Sequence, residues 1–180
     1  MNERVYDNGI DRLRAPERIE RLEVNRVVDL CLGESKINSV LDIGTGSGLF
    51  AEAFYKKGIK VSGIDLNPKM IETARNILPD CEFKISAAEE LPFEDNSFDM
   101  IFMGVVFHEV DDYIKVLKET NRVAVKSVSI LEWNYKSEDY GPPIEHRLSE
   151  EFITNIAKES GFTNVKRIPL KSLVLYRLYK

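Results

Sequence analysis

The stretch Val40-Leu41-Asp42-Ile43-Gly44-Thr45-Gly46-Ser47-Gly48 joins a short apolar run, containing one acid, to three alternate glycines. That pattern reads as a buried strand running into a tight turn. The adjoining segment, Leu49-Phe50-Ala51-Glu52-Ala53-Phe54-Tyr55-Lys56-Lys57, has helical period and closes on basic residues and Gly58, a stop signal. Glycine serves such a turn in two ways. It permits positive φ, and without a Cβ it lets a ligand lie against the backbone. A plain strand-to-helix turn with glycines for geometry alone would look the same, so the next segment decides.

Lys60-Val61-Ser62-Gly63-Ile64-Asp65 is a second strand-like run. Its terminal acid falls about twenty residues after the first glycine, where a ribose needs an acceptor for its hydroxyl pair. A carboxylate there accepts both hydroxyls and rejects a ribose phosphate. Asn67-Pro68 then starts a helix, with Asn as N-cap and Pro in the first turn.

These two stretches, Asp42 to Gly48 and Gly63-Ile64-Asp65-Leu66-Asn67-Pro68-Lys69-Met70, resemble the class I S-adenosylmethionine-dependent methyltransferases. Within them the chain is most similar to the small-molecule, type 11-like group, with its Leu91-Pro92-Phe93 and Phe98-Asp99 motifs. The spacing is Gly-x-Gly-x-Gly; the dinucleotide dehydrogenases carry Gly-x-Gly-x-x-Gly, and position 49 here is Leu. The resemblance runs over nearly the whole chain from Pro16. It implies a doubly wound, mostly parallel seven-stranded α/β sheet with helices on both faces and the last strand antiparallel. It also implies S-adenosylmethionine as cofactor, bound by Asp42, Gly44, Thr45, Gly46, Gly48, Asp65, Leu66, Met70, Ala88, Glu89, Met103 and Gly104. Many relatives carry Asp where this chain has Ala87, and that carboxylate accepts from the adenine amino group. Ala87 cannot, which leaves the adenine edge to Glu89 or to a water.

Composition sets the outer bounds. A chain of 180 residues fits one domain, here 1–180, with an N-terminal helical segment 1–33 and a core 34–180. A net charge of −5 argues against a nonspecific nucleic-acid surface, which requires a cationic face. Cys31 and Cys81 make neither a disulfide framework nor a metal-ligand spacing and read as reduced core thiols. With no secretory segment and no long apolar span, a soluble cytoplasmic protein is expected.

Taken in order, residues 1–15 are polar and Arg-rich, with Tyr6 and Leu13 as isolated apolar points. Residues 16–32 form a predicted helix ended by Gly33, with Val24, Val27, Val28 and Cys31 as its apolar stripe. Relatives often use such a helix as part of a lid; simple capping of the sheet explains the helix equally well. Further helices are expected at 69–78 and 113–121 and from Ser149, the last ending at Gly161. Strands are expected at 81–86, at 100–107, within 123–133, and as a hairpin of 162–169 with 172–179. The run 100–107 is apolar enough for a strand buried on both faces. Relatives usually carry a Pro-Gly-Gly turn before the fifth strand, which is missing here.

Methyl transfer from a sulfonium is an in-line displacement, and holding acceptor, carbon and sulfur collinear supplies most of the catalysis. A general base is needed only for a hydroxyl or protonated amine. His108, at the ligand end of a strand, is the catalytic candidate; capping the next helix is its structural alternative. Tyr6, Trp133, Tyr140 and His146 are the acceptor-pocket candidates. Trp133 and Tyr140 stack on an acceptor or close the core; His146 lines the pocket or sits in a solvated loop over 134–148. No metal site is expected, since His108, Glu109 and His146 do not show convergent spacing. The chain lacks the Asn-Pro-Pro-Tyr of planar-amine methyltransferases, having Met103-Gly104-Val105-Val106 instead. The reading is a methyltransferase with a small-molecule acceptor, the alternative a noncatalytic cofactor-binding sensor or scaffold.

Overall fold

In the computed structural model, which describes residues 9–33 and 36–180, the strands are β1 (Ser39–Ile43), β2 (Lys60–Asp65), β3 (Glu82–Ile85), β4 (Phe98–Gly104), β5 (Ala124–Trp133), β6 (Asn164–Pro169) and β7 (Leu173–Tyr179). They form one seven-stranded sheet in the order β3-β2-β1-β4-β5-β7-β6. β1 pairs in parallel with β2 and β4, β2 with β3, and β4 with β5. β7 lies between β5 and β6 and is antiparallel to both.

The helices are α1 (Ile10–Leu13), α2 (Pro16–Arg21), α3 (Val24–Leu32), α4 (Leu49–Lys56), α5 (Pro68–Ile77), α6 (Tyr113–Val123) and α7 (Glu150–Glu159). Apolar stripes fix which face each covers. Val27, Val28 and Cys31 of α3, Phe50 and Phe54 of α4, and Ile71 and Ala74 of α5 fill one core layer with Val40, Val61 and Phe102. Val116 and Leu117 of α6 and Ile153 and Ala157 of α7 fill the other with Leu41, Ile43, Ile101 and Val128. The connection from β3 to β4 has no helix, and Leu91 and Phe93 cover that part of the second layer. Asn67, Asp112 and Ser149 cap their helices, each accepting a backbone N–H with its side chain.

Four expectations are corrected. The helix predicted over 16–32 is broken: Glu23 sits in the left-handed region at φ 47°, between α2 and α3. Its carboxylate is drawn outward to the Lys171 backbone N–H at 2.8 Å and to Arg26 at 2.5 Å. The strand predicted over 100–107 stops at Gly104, because Val105 takes φ 53° and Phe107–Glu109 close into a 3-10 turn. The helix predicted over 113–121 continues to Val123 and passes straight into β5 at Ala124, so no turn is needed there. Of the two thiols, Cys31 is buried as expected, while Cys81 is only half-buried.

Candidate active site

Strand order reverses at β1, whose neighbours β2 and β4 receive connections running in opposite directions, and this opens a crevice at the carboxyl edge. The glycine turn lies there. Gly44 has φ 65°, and a Cβ on it would come within 2.4 Å of Val106 Cγ2, so only glycine lets the segment after β4 close on the turn. Gly46, at φ 53°, would turn a Cβ toward Leu13, whose Cδ1 is 3.6 Å away. Arg14 adds a second tie, reaching Glu52 at 2.7 Å and the Ser47 carbonyl at 3.2 Å. The N-terminal segment thus covers the turn.

Two acids organise this edge. Asp42 is buried and accepts from Thr45 Oγ1 at 2.7 Å; burial pushes its carboxyl up to about 7. It acts on the turn from beneath. Asp65, half-buried, accepts the Gly46 N–H at 2.9 Å and the Asn67 N–H at 2.8 Å, one on each oxygen. Burial raises its titration, and these N–H groups work against that rise. Each oxygen of a carboxylate offers two acceptor sites, so both can still take a hydroxyl donor. Beside Asp65, Leu66 is 49% exposed, and Ile85, paired with Asp65 across β2 and β3, is 56% exposed. Apolar side chains this open at a ligand edge suit the flat face of an adenine.

The remaining cofactor candidates are spread around this edge. Ala88 is half-buried in the loop after β3, and Glu89 accepts the Asp111 backbone N–H at 3.3 Å. Gly104 is half-buried at the end of β4. Met103 is wholly buried and Met70 nearly so, which limits Met103 to a backbone contact. The edge therefore fits a nucleoside with a cationic side chain: an acid for the ribose, apolar surface for the base, and negative charge nearby.

His108 sits in the turn after β4 and is 7% exposed. Its Nδ1 lies 3.0 and 2.9 Å from the two carboxylate oxygens of Glu132, a fully buried residue near the end of β5. Glu132 also accepts the backbone N–H of His108 at 3.1 Å and of Trp133 at 3.2 Å. Glu109 lies 3.7 Å from Nε2, and burial raises its titration. Glu132 is not among the residues the sequence points to; its one signal is an acid in an otherwise apolar strand end.

A family model described as a methyltransferase domain matches residues 41–130, half of the 180-residue chain. The chain belongs to the methyltransferase domain family. S-adenosylmethionine is that family's cofactor. The fold superposes on a SAM dependent methyltransferase from Aquifex aeolicus with a TM-score of 0.84 at 29% identity, covering 95% of this chain and 97% of that one. A demethylmenaquinone methyltransferase of Thermotoga maritima is 40% identical over 100 residues, covering 54% of this chain and 43% of the relative. The Chlorobaculum tepidum enzyme of that name is 39% identical over 85 residues, covering 47% and 35%. The chain spans less than half the length of these curated relatives.

The flanks of this methyltransferase domain carry the acceptor-side candidates. Tyr6 lies outside the described residues. Trp133 is 6% exposed and its ring centre is 6.0 Å from that of Tyr140. Arg21 of α2 stacks on Tyr140 at 4.6 Å, and Tyr140 bonds Ser172 Oγ at 2.8 Å. Buried Arg147 closes the loop by donating to the carbonyls of Pro142 at 2.9 Å and Asn134 at 3.0 Å and to Glu138 at 3.2 Å. The structure thus brings Trp133 and Tyr140 together as packing partners beneath the loop. His146 is apart, exposed on the 3-10 turn Ile144–His146. Among the described residues no cluster of His, Cys, Asp and Glu could hold a metal ion, and no helix is long and apolar enough to cross a membrane.

Proposed function

We propose that this chain moves the methyl group of S-adenosylmethionine to a small-molecule acceptor by in-line displacement. One observation carries the reading: the left-handed glycine turn, with Asp65 bound to it and Leu66 and Ile85 open beside it, lies under Leu13 and Arg14. When bound, the cofactor supplies an electrophilic methyl on a sulfonium. Asp65 would accept the ribose hydroxyls, Leu66 and Ile85 would flank the base, and the turn would carry the amino-acid end. Leu13 and Arg14 would exclude water from that contact. Ordering the reactants in this way is worth roughly 7–11 kcal/mol in well-oriented models.

The family match ends at Ile130, so it supports the cofactor half of the reading. The segments flanking it, 9–33 and 134–148, would enclose the acceptor. The demethylmenaquinone named for the curated relatives makes a quinone, or the aromatic diol formed by its two-electron reduction, one acceptor class to try. Calorimetry should show binding of S-adenosylmethionine and its demethylated product and none of NAD. Methyl-label transfer across a metabolite panel then separates an enzyme from a sensor. Tight NAD binding without S-adenosylmethionine binding would overturn the reading.

A further inference from the structure

Glu132 is built into the fold at a cost that needs a reason. A fully buried carboxyl group requires partners, and the backbone N–H groups of His108 and Trp133 supply two of them. The group is therefore used as an acceptor, and the contacts at 3.0 and 2.9 Å make Nδ1 of His108 its third donor. With the Nδ1 proton held there, the basic lone pair of a neutral imidazole is fixed at Nε2. Nε2 lies on the side of Glu109, 3.7 Å away, a carboxylate that also feels Asp65 and Arg18. The pair is formed because β4 and β5 run in parallel and end side by side, Gly104 opposite Leu131.

We infer that Glu132 is a positioning residue that presents Nε2 of His108 as the base of the methyl transfer, and that the acceptor is a neutral molecule with an acidic O–H, phenolic or enolic. This rests on the methyltransferase reading above. The acceptor class follows from the charges at this edge. Glu109 and Asp65 disfavour an anionic acceptor, and a neutral amine attacks without prior loss of a proton. A phenol titrates near about 10 and reacts as the phenolate, so a base beside it lowers the barrier. In the step, the acceptor's oxygen, or the ring carbon conjugated with it, forms the bond to the methyl carbon. The carbon–sulfur bond breaks with its pair left on sulfur. The O–H proton goes to Nε2, or the ring proton does when carbon is the nucleophile. Glu132 holds the resulting imidazolium until the proton leaves to water.

The chain has two histidines, so His146→Gln leaves one imidazole to follow by nitrogen NMR in the ligand-free protein. In that background His108 is expected as the Nδ1-protonated tautomer when neutral, its Nδ1 proton held by Glu132. Glu132→Gln should mix the tautomers, and Glu132→Asp should restore most of the Nδ1-protonated form. S-adenosylmethionine affinity should be the same in all of these. Labelled-methyl transfer to catechol and hydroquinone should fall roughly 10²–10⁴-fold in kcat for His108→Gln and Glu132→Gln, with KM for the cofactor unchanged. An identical tautomer in Glu132→Gln would overturn the positioning role. Labelling of benzylamine with both phenols unlabelled would overturn the acceptor class. If the wild type fails to bind S-adenosylmethionine, the methyltransferase reading falls and takes this inference with it. Cofactor binding with an unmoved imidazole removes this inference alone.

Discussion

Asp42 lies under the glycine turn, 2% exposed, with Thr45 donating to it. Its carboxyl titrates at about 7 in the fold, against about 3.9 for an unfolded chain, so folding takes up a proton between those values. Stability from the neutral form is fully present below the unfolded value, declines as pH rises, and is lost above the folded one. Asp42→Asn should therefore match wild type near pH ~4 and exceed it in thermal midpoint above pH ~7. A difference that widens toward acid would show that the charge is favoured in the fold. Asp65 has a double role, because the oxygens offered to a ribose already hold Gly46 and Asn67. Asp65→Ala should lose one to two decades of cofactor affinity, roughly 1.5–3 kcal/mol, and also lower the midpoint of the ligand-free protein. Asp65→Asn, keeping one acceptor oxygen, should lose affinity with a smaller drop in midpoint. Equal drops in midpoint would mean that only the charge matters to the turn. Asp65 and the glycines are readable because their spacing along the chain is the signal. Glu132 is not, since His108 is 24 positions earlier and only the parallel pairing of β4 and β5 joins them. Arg147 is hidden for a different reason: apart from Glu138, its partners are backbone carbonyls, which carry no side-chain signature.

Most elements follow from periodicity and caps, and the departures arise where a distant contact intervenes. Nothing local ends a helix at Leu22; the break at Glu23 depends on Lys171, 148 positions away. A non-glycine residue in the left-handed region costs roughly 1–2 kcal/mol, which those carboxylate contacts offset. The break divides the N-terminal segment by task. α3 is packed into the core, whereas α1 and α2 lie over the turn and against Tyr140. Hydrogen exchange should therefore slow in residues 10–21 when S-adenosylmethionine binds and stay unchanged in 24–32. Arg14→Ala, which removes the ties to Glu52 and Ser47, should speed exchange in 10–21 without ligand. Identical exchange with and without ligand in both segments would remove the covering role. Val105 is a second local exception, a β-branched residue at φ 53°. Strain of this kind gathers where a strand must turn toward a ligand edge, and the apolar run in the sequence conceals it.

At the scale of the whole molecule, ligand binding and folding are one equilibrium. A ligand at about 100 times its dissociation constant adds about 2.7 kcal/mol of stability. For a chain of this length each kcal/mol moves the midpoint by about 2–4 °C. S-adenosylmethionine and its product should each raise the thermal midpoint by roughly 5–10 °C at that excess, and NAD should leave it unchanged. A shift with NAD alone would point to a different nucleotide. The sheet order that makes this crevice is legible as alternating strands and helices, but the place of β7 comes with the family resemblance, because antiparallel insertion leaves no periodic trace.

That place bears on how the molecule assembles. β6 and β7 are joined by a tight connection in which the Leu170 N–H meets the Leu173 carbonyl at 2.9 Å. Such a pair closes in about 1–10 μs, whereas each parallel pairing waits for a long crossover loop to close. The hairpin is thus expected to form early, before it docks in the sheet. It offers two edges, and burial selects between them. β7 is buried almost throughout, while β6 turns Lys166 and Arg167 to solvent. Docking by β7 covers the free side of β5 from Ser127 to Trp133 and sets Val174 opposite Glu132. The carboxylate that holds His108 is therefore covered only once the hairpin has docked on β5, so a refolding species with the hairpin undocked should bind cofactor before it regains turnover.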